Sequence, residues 1–221
     1  MKALIFGATG MVGQGVLREC LLDPDIDVVQ TVGRSPTGVK HAKLRELAPP
    51  DLMRYAEIEA ELRGFDACFF CLGASSFGMS EAEYERVTYG IAMAAAETLS
   101  RLNPGMTFVY VSGAGTDSSE KGRIAWARVK GRTENALLRL PFKAAYMFRP
   151  AGIQSMHGER SKTVPYRIAY FLAKPLLPLL RRVSPASVVT TEELGRAMIR
   201  VARTGAPKRI LESSDIRDCA R

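Results

Sequence analysis

Long apolar runs are missing from this chain of 221 residues. A helix that crosses a bilayer needs about 20 consecutive apolar residues, and no stretch approaching that length is present. The N-terminal apolar run leads directly from Phe6 into a glycine turn, which argues against a secretory signal peptide. Together, these two absences predict a cytoplasmic protein.

Histidine and cysteine are also scarce, with two histidines and four cysteines in the chain. Cys68 and Cys71 have the spacing C-x-x-C, but both lie on one predicted strand. Side chains three residues apart on a strand point to opposite faces, so the pair cannot hold one metal ion. No second pair follows, and His41 and His157 are isolated in the sequence. The pattern predicts no metal site and ordinary reduced thiols.

Basic residues are sparse in the first half of the chain and acidic residues in the second. Residues 1–120 have a net charge of −6, and residues 121–221 have a net charge of +14. A basic half could attract nucleic acid, anionic lipid or a phosphorylated substrate. We favour a solvated arginine-rich surface with some residues for a cofactor phosphate. The basic residues are dispersed, and no nucleic-acid motif accompanies them.

The glycines near the N-terminus have the spacing of a dinucleotide-binding turn. An apolar run at 2–6 leads into the pattern G-x-x-G-x-x-G, and a helical pattern follows. In such turns the first glycine allows the bend, the second lets the backbone approach a pyrophosphate, and the third lets the helix pack on the strand. The phosphates would lie at the helix N-terminus. We therefore predict nucleotide binding, with contacts from Gly7, Thr9, Gly10, Met11, Val12 and Gly13.

The second apolar run ends in Gly33-Arg34-Ser35 and carries no acidic residue at its carboxyl end. NAD-binding units usually have an acidic residue there, which bonds to the ribose 2′-OH. Asp27 lies at the other end of the run, whereas the guanidinium of Arg34 suits the 2′-phosphate of NADP. We favour NADP over NAD as the cofactor. The alternative is that Arg34 is an ordinary exposed loop arginine.

Apolar runs alternate with helical patterns along most of the chain. This alternation predicts an α/β Rossmann fold, with a doubly wound parallel sheet and helices on both faces, in a single domain covering 1–221. The expected strands are 2–6, 27–32, 43–47, 66–72, 106–112 and 143–149, with a last short strand at 208–211. The expected helices are 11–22, 51–62, 80–102, 122–140 and 191–203.

Residues 150–190 are rich in proline and depart from the alternation, so we expect a small substrate-side extension there. Within it, the segment 166–182 is apolar with basic flanks, and two of its prolines would interrupt a helix. Three roles remain open for this segment: lining a substrate cleft, forming a homodimer face, or making peripheral contact with a membrane surface.

Three further runs, at 70–74, 110–114 and 149–152, together with the glycine turn, resemble the short-chain dehydrogenase/reductase superfamily. More narrowly, the chain is similar to the atypical NAD(P)-binding branch of that superfamily, the NmrA-like and Tat-interacting-protein-like oxidoreductases. The resemblance covers nearly the whole chain. It implies additional cofactor contacts at Leu72, Gly73, Lys130 and Pro150.

The resemblance also implies catalytic residues. In catalytic members a Ser or Thr ends the fifth strand, and a Tyr-x-x-x-Lys pair lies on the next helix. Ser112 and Lys130 match, but Trp126 stands where the tyrosine belongs. A phenol with a lowered pKa can supply a proton during carbonyl reduction, whereas an indole N–H does not titrate usefully. Lys130 is then expected to bond to the nicotinamide ribose, and Ser112 to contact a carbonyl group.

Each of these residues also has a purely structural interpretation. Ser112 could be a serine that starts a loop, Lys130 a surface helix lysine, and Trp126 either core packing or a lid over the nicotinamide. Two functions therefore stay open. We lean towards a weak or specialised NADP-dependent carbonyl reductase that acts on a small molecule. The alternative is a non-catalytic NADP-binding redox sensor or assembly factor. Nucleic-acid binding is the least favoured.

Overall fold

A parallel β-sheet forms the centre of the computed structural model, which describes residues 1–159 and 188–221. Its strands are β1 (Lys2–Phe6), β2 (Val28–Val32), β3 (Leu44–Leu47), β4 (Ala67–Phe70), β5 (Thr107–Val111), β6 (Ala144–Arg149) and β9 (Ile210–Glu212). Their order across the sheet is β3-β2-β1-β4-β5-β6-β9. A separate parallel pair consists of β7 (Gly152–Gln154) and β8 (Val188–Thr190). The predicted α/β Rossmann-like fold is confirmed.

Helices cover both faces of this sheet. In the described ranges they are α1 (Met11–Leu22), α2 (Glu81–Glu85), α3 (Ile91–Leu102), α4 (Ala125–Arg139), α5 (Thr191–Thr204) and α6 (Ser213–Cys219). A π-helical turn at Arg86–Gly90 joins α2 to α3. The single helix predicted over 80–102 is therefore present but contains this local widening. None of the helices in these ranges is long and apolar enough to cross a membrane.

Successive side chains of each strand point to opposite faces of the sheet, so the core has two layers, one on each face. Ala3 and Ile5 pack towards α1 and α5, whereas Leu4 and Phe6 pack towards α3 and α4. The second layer contains a run of aromatic rings, in which Phe70 stacks on Phe6 with ring centroids 5.3 Å apart. Cys68 belongs to the second layer and Cys71 packs against the first, as their strand spacing predicts.

The helix predicted over 51–62 is wrong. The structure has two short 3₁₀ turns there, Ala56–Ile58 and Ala60–Leu62. Apolar residues recur at 52, 55 and 58, and this three-residue repeat matches the three residues per turn of a 3₁₀ helix. The Tyr55 hydroxyl donates to the carbonyl of Leu52 within this irregular segment, and the Tyr55 ring packs edge-on against Phe6 of β1.

Most of the proposed substrate-side extension, residues 160–187, lies outside the described residues, and so does the whole segment 166–182. The flanks of the extension are described. They form the β7–β8 pair, which the sequence did not predict, and β8 leads directly into α5. The last short strand is confirmed as β9, and α6 follows it as an unpredicted helix.

Candidate functional site

The strand order places a crevice between β1 and β4. The chain leaves β1 towards β2 on one side, and β4 pairs with β1 on the other side. In open parallel sheets, ligands bind outside the carboxyl ends of the strands at such a reversal of strand order. Gly7 is the first residue after β1, and Cys71 is the first residue after β4.

The three glycines of the turn occupy different surroundings. Gly7 has φ +80°, and a Cβ atom there would lie 2.8 Å from the backbone of Cys71 and Leu72. A Cβ on Gly13 would lie 2.1 Å from the carbonyl oxygen of Gly7. Both positions are therefore closed to any side chain. A Cβ on Gly10 would meet only the Gly7 carbonyl oxygen, at 3.4 Å, and otherwise faces open space. The turn thus fits a ligand whose phosphates approach the backbone at Gly10.

Helix α1 begins at this opening without a side-chain cap. Gly10 is the capping residue, and the first turn of the helix contains no acidic side chain. The first N–H groups of a helix have no partner within it, so the backbone at Met11 and Val12 can donate to an anion. The Gln14 side chain donates to the Thr9 carbonyl at 3.0 Å and fixes the turn.

Arg34 lies two residues beyond β2 and is exposed. Asp27, the nearest acidic residue on that segment, lies at the opposite end of β2, where its carboxylate accepts a hydrogen bond from the N-terminal ammonium at 2.7 Å. This contact lowers the pKa of Asp27. Glu46 on neighbouring β3 accepts from the backbone N–H of Thr37 at 2.7 Å. Arg34 has no hydrogen-bond or ion-pair partner within the described ranges.

Ser112 and Lys130 are in contact. Ser112 follows β5, and Lys130 lies on α4, where its Nζ donates to the Ser112 carbonyl oxygen at 2.9 Å. The same Nζ lies 5.9 Å from the centre of the Tyr110 ring. Burial lowers the pKa of Lys130 to about 8, and the Glu134 carboxylate opposes that shift. The interpretation of Lys130 as a solvated surface residue does not fit this environment.

A buried carboxylate completes the cluster. Glu134 is 0% exposed and accepts from the Ser112 hydroxyl and from Arg149, whose Nε lies 3.0 and 3.1 Å from its two carboxylate oxygens. The Ser112 hydroxyl also lies 3.2 Å from the Phe148 carbonyl oxygen. The sequence reasoning missed Glu134. Its four-residue spacing from Lys130, on the helical face that also holds Trp126, was the available signal.

Trp126 is half-buried at the start of α4. Its ring lies near Gly115 in the loop after β5, and a Cβ atom on that glycine would lie 3.4 Å from the ring. Leu72 and Gly73 follow β4 at the crevice. A Cβ atom on Gly73 would lie in open space. Pro150 is buried, and its carbonyl accepts from the Ala114 N–H at 3.1 Å, which joins the loops after β5 and β6.

The cysteines show no sign of reactivity. Burial raises the pKa of Cys20, Cys68 and Cys71 above the usual value for a thiol, which favours the protonated, unreactive form. Within residues 1–159 and 188–221, no group of three or more histidine, cysteine, aspartate or glutamate side chains is arranged to hold a metal ion.

Two proteins with related sequences carry the name FMP52. The chain is 33% identical over 162 residues to protein FMP52-2 of Scheffersomyces stipitis, and the match covers 72% of this chain and 68% of that relative. It is 27% identical over 167 residues to protein FMP52 of Debaryomyces hansenii, with 74% and 70% covered. No protein-family model matches the chain.

Solved structures with the same fold are numerous and distant in sequence. The enzyme WbmF of Bordetella bronchiseptica in complex with NAD+ has a TM-score of 0.70 at 14% identity, covering 99% of this chain and 76% of that one. A short chain dehydrogenase family protein of Francisella tularensis has a TM-score of 0.66 at 14% identity, covering 92% and 91%. At this level of sequence identity, the likeness shows that the chain shares the fold of these two proteins.

The names of the relatives contradict the cytoplasmic location predicted from the sequence. FMP52-2 of Scheffersomyces stipitis and FMP52 of Debaryomyces hansenii are both named as mitochondrial proteins, which points to mitochondria instead. The prediction rested on the absence of a secretory signal and of a long apolar run. Neither absence distinguishes the cytoplasm from a mitochondrial compartment.

Proposed function

The chain belongs to the FMP52 protein family, and on that premise we propose that it binds NADP(H) and reduces a small carbonyl compound at low rate. The family name specifies no reaction, so the proposal depends on the geometry of the site. Its main support is that the three glycines of the turn differ in the space around them. Backbone contacts exclude a side chain at Gly7 and Gly13, whereas the space at Gly10 is open where a pyrophosphate would approach. We also propose that the chain is of the atypical type among the short-chain dehydrogenases, as the sequence resemblance implies.

The choice of NADP over NAD follows from the surroundings of Arg34. An exposed guanidinium beyond β2 can form paired, charge-assisted hydrogen bonds with a 2′-phosphate. The acidic side chains on the neighbouring segments, Asp27 and Glu46, have partners elsewhere. A ribose 2′-OH would therefore lack its usual carboxylate at the end of β2.

The proposed catalytic residues are Ser112 and Lys130, which lie together beyond β5. A bound NADPH would supply the hydride for the carbonyl carbon. Lys130, with N–H donors to spare, would bond to the nicotinamide ribose, and Ser112 would lie beside the reacting carbonyl group. Trp126 removes the phenol that usually carries the proton, so we expect a low rate. Leu72, Gly73 and Pro150 complete the proposed cofactor contacts.

A second candidate function keeps the cofactor without the reaction. The indole at position 126 cannot exchange a proton in the usual pH range, which favours a non-catalytic NADP-binding protein that reports redox state or assists assembly. The charged, half-buried cluster around Lys130 favours the enzyme, because a binder does not need an ammonium group with a lowered pKa beside the cofactor.

NADPH consumption with a panel of aldehydes, ketones and quinones tests the reaction. We expect weak oxidation by the wild type and a gain of at least several-fold in Trp126→Tyr, since general acid catalysis typically contributes ~10²–10⁴-fold and a newly placed phenol recovers part of it. Trp126→Phe is the matched control, because phenylalanine has the ring of tyrosine without the hydroxyl. This variant should show no gain. NADPH binding with no turnover in any variant would favour the redox sensor.

A further inference from the structure

The loop after β5 contains the hydroxyl groups closest in sequence to Ser112, and each has a partner. Thr116 donates to a carbonyl oxygen of the same loop at 2.7 Å, and Ser119 donates to a carboxylate of that loop at 2.6 Å. Ser118 accepts from Arg149 at 2.6 Å. The first two contacts lie within the loop, and the third joins the loop to β6. Alcohol hydroxyls also do not ionise in the range where an enzyme operates.

The tyrosines near the cluster are no better placed to supply a proton. Tyr110 is 1% exposed and Tyr84 is 3% exposed, and burial raises the pKa of Tyr110 above its ordinary value. The Tyr89 ring packs beneath the guanidinium of Arg132, 5.0 Å away, on the side of α4 that faces the π-helical turn. Within the cluster, Glu134 and Arg149 are bonded to each other, and the remaining candidates to donate a proton are Ser112 and Lys130.

The two residues differ in what they can still donate. The single hydroxyl hydrogen of Ser112 is engaged between Glu134 and the Phe148 carbonyl oxygen. The ammonium of Lys130 has three N–H bonds. One of them is used on the Ser112 carbonyl oxygen, and the other two have no partner in the described part of the chain. A half-buried cation with two unused donors is suited to bonding oxygens of bound molecules.

We propose that Lys130 is itself the proton donor of the reaction, acting on the carbonyl oxygen of the substrate, and that Glu134 is a positioning residue. This inference rests on the proposed function. The carbonyl carbon receives a hydride from the reduced nicotinamide, and the carbonyl oxygen takes a proton from Nζ. The electron pair of that N–H bond stays on nitrogen, and water returns a proton to the neutral amine.

Glu134 acts on Lys130 indirectly, through Ser112 at the end of β5, to which the ammonium is hydrogen-bonded. Its carboxylate binds the Ser112 hydroxyl, and the carbonyl of Ser112 binds Nζ. Arg149 holds the carboxylate from the other side through Nε and Nη2, which also raises the pKa of Arg149. The chain of contacts from Arg149 through Glu134 and Ser112 to Lys130 joins β6, α4 and the end of β5.

The pH dependence follows from the same geometry. Burial disfavours the charged ammonium and lowers the pKa of Lys130 to about 8, while Glu134 favours the charged form. Nζ is therefore protonated and able to donate at pH 7, and it loses the proton as the pH rises through about 8. Several charged groups lie on the elements packed against α4. Arg149 of β6 pairs with Glu134, and Glu81 and Glu85 of α2 pair with Arg128 and Arg132. The π-helical turn adds Arg86, and α3 adds Glu97 and Arg101, of which Arg101 pairs with Glu59.

Two measurements on the full-length protein test this inference. The first is carbon NMR of the protein with isotopically dimethylated lysines, assigned with Lys130→Arg, which reports the ionisation of Lys130 without any turnover. We expect a Lys130 midpoint near pH 8, below the ordinary range for a lysine side chain. The second is single-turnover NADPH oxidation with a generic aldehyde from pH 6 to 10. We expect the rate to fall about tenfold for each pH unit above 8.

Lys130→Arg separates charge from proton donation, because a guanidinium keeps the cation but does not give up its proton in this range. The variant should bind NADPH within a few-fold of the wild type and lose at least about 100-fold in the oxidation rate. Lys143→Arg is the matched control and should change neither. Glu134→Gln should move the NMR midpoint of Lys130 downwards, since it removes a favourable negative charge.

The outcomes separate the inference from the proposed function. A wild type that does not bind NADPH contradicts both. Bound NADPH without oxidation at any pH contradicts the inference and supports the redox sensor. Turnover that persists in Lys130→Arg contradicts the inference alone, and so does a rate that does not fall as the pH rises above 8. A Lys130 midpoint in the ordinary range for a lysine side chain also contradicts it.

Discussion

The proposed function depends mainly on individual residues, and many of these residues were predicted from the sequence. The G-x-x-G-x-x-G spacing predicted which glycine bends the chain and which packs the helix, and the structure has both contacts. Glu134 was not predicted, because an acidic residue on a helix is more often solvated. Only the fold places it at 0% exposure against Arg149, which lies 15 residues further along the chain.

Arg34 is the residue on which cofactor preference depends. We expect the wild type to bind NADPH at least about tenfold more tightly than NADH, because one charge-assisted contact contributes ~1.5–3 kcal/mol. Arg34→Ala should remove most of that preference and leave the affinity for NADH nearly unchanged. Calorimetric titration of both cofactors measures the two affinities.

Arg139→Ala serves as the control for Arg34→Ala, because Arg139 is also exposed but lies at the far end of α4. The control should retain the preference for NADPH. Equal affinities of the wild type for NADPH and NADH would show that Arg34 does not select the cofactor.

At the level of elements, the strands were predicted more reliably than the connections between them. Strand positions follow from short apolar runs between turns, and the runs are unambiguous here. The segment 51–62 was misassigned because a three-residue apolar repeat suits two kinds of helix. The pairing of β7 with β8 could not be predicted, since it joins residues separated by more than thirty positions in sequence.

The contact between α4 and β6 depends on the buried Glu134–Arg149 pair. Arg149→Met leaves the Glu134 carboxylate buried without a cationic partner and should lower the free energy of unfolding by about 3–5 kcal/mol. Glu134→Leu should cost less, because Arg149 keeps its ion pair with Glu212 at 3.6 Å. The double variant should lose clearly less than the sum of the two, because no unpaired charge remains. Urea denaturation of all four proteins measures this coupling.

The surface pair Arg101–Glu59 provides the comparison, since both side chains are partly exposed. Exposed pairs contribute little to stability, so the corresponding single variants should be nearly neutral. Additive losses in the Glu134–Arg149 cycle would show that the two residues do not act as a pair.

The whole molecule explains the uneven charge of the sequence. Several basic side chains of the second half pair with acidic side chains of the first, as in the pairs Arg128–Glu81, Arg132–Glu85, Arg196–Glu19 and Arg203–Asp23. These contacts favour the interpretation of a solvated, paired surface over that of a nucleic-acid site. The location of the protein, by contrast, could not be predicted from fold-forming residues, and the relatives point to mitochondria.

Dinucleotide binding by the crevice between β1 and β4 is the central claim, and Gly10→Val tests it. The backbone of Gly10 is extended, with φ −84° and ψ 163°, and a Cβ there has ordinary space, so valine fits the fold. Its side chain would occupy the place of the pyrophosphate. Gly105→Val is the control, because Gly105 lies in an exposed turn away from the crevice.

The decisive measurement is calorimetric titration of NADPH into the wild type, Gly10→Val and Gly105→Val, each first shown by thermal unfolding to be folded. We predict one NADPH per chain for the wild type and for Gly105→Val, and no measurable binding for folded Gly10→Val. Normal binding by Gly10→Val, or no binding by the wild type, would contradict the account.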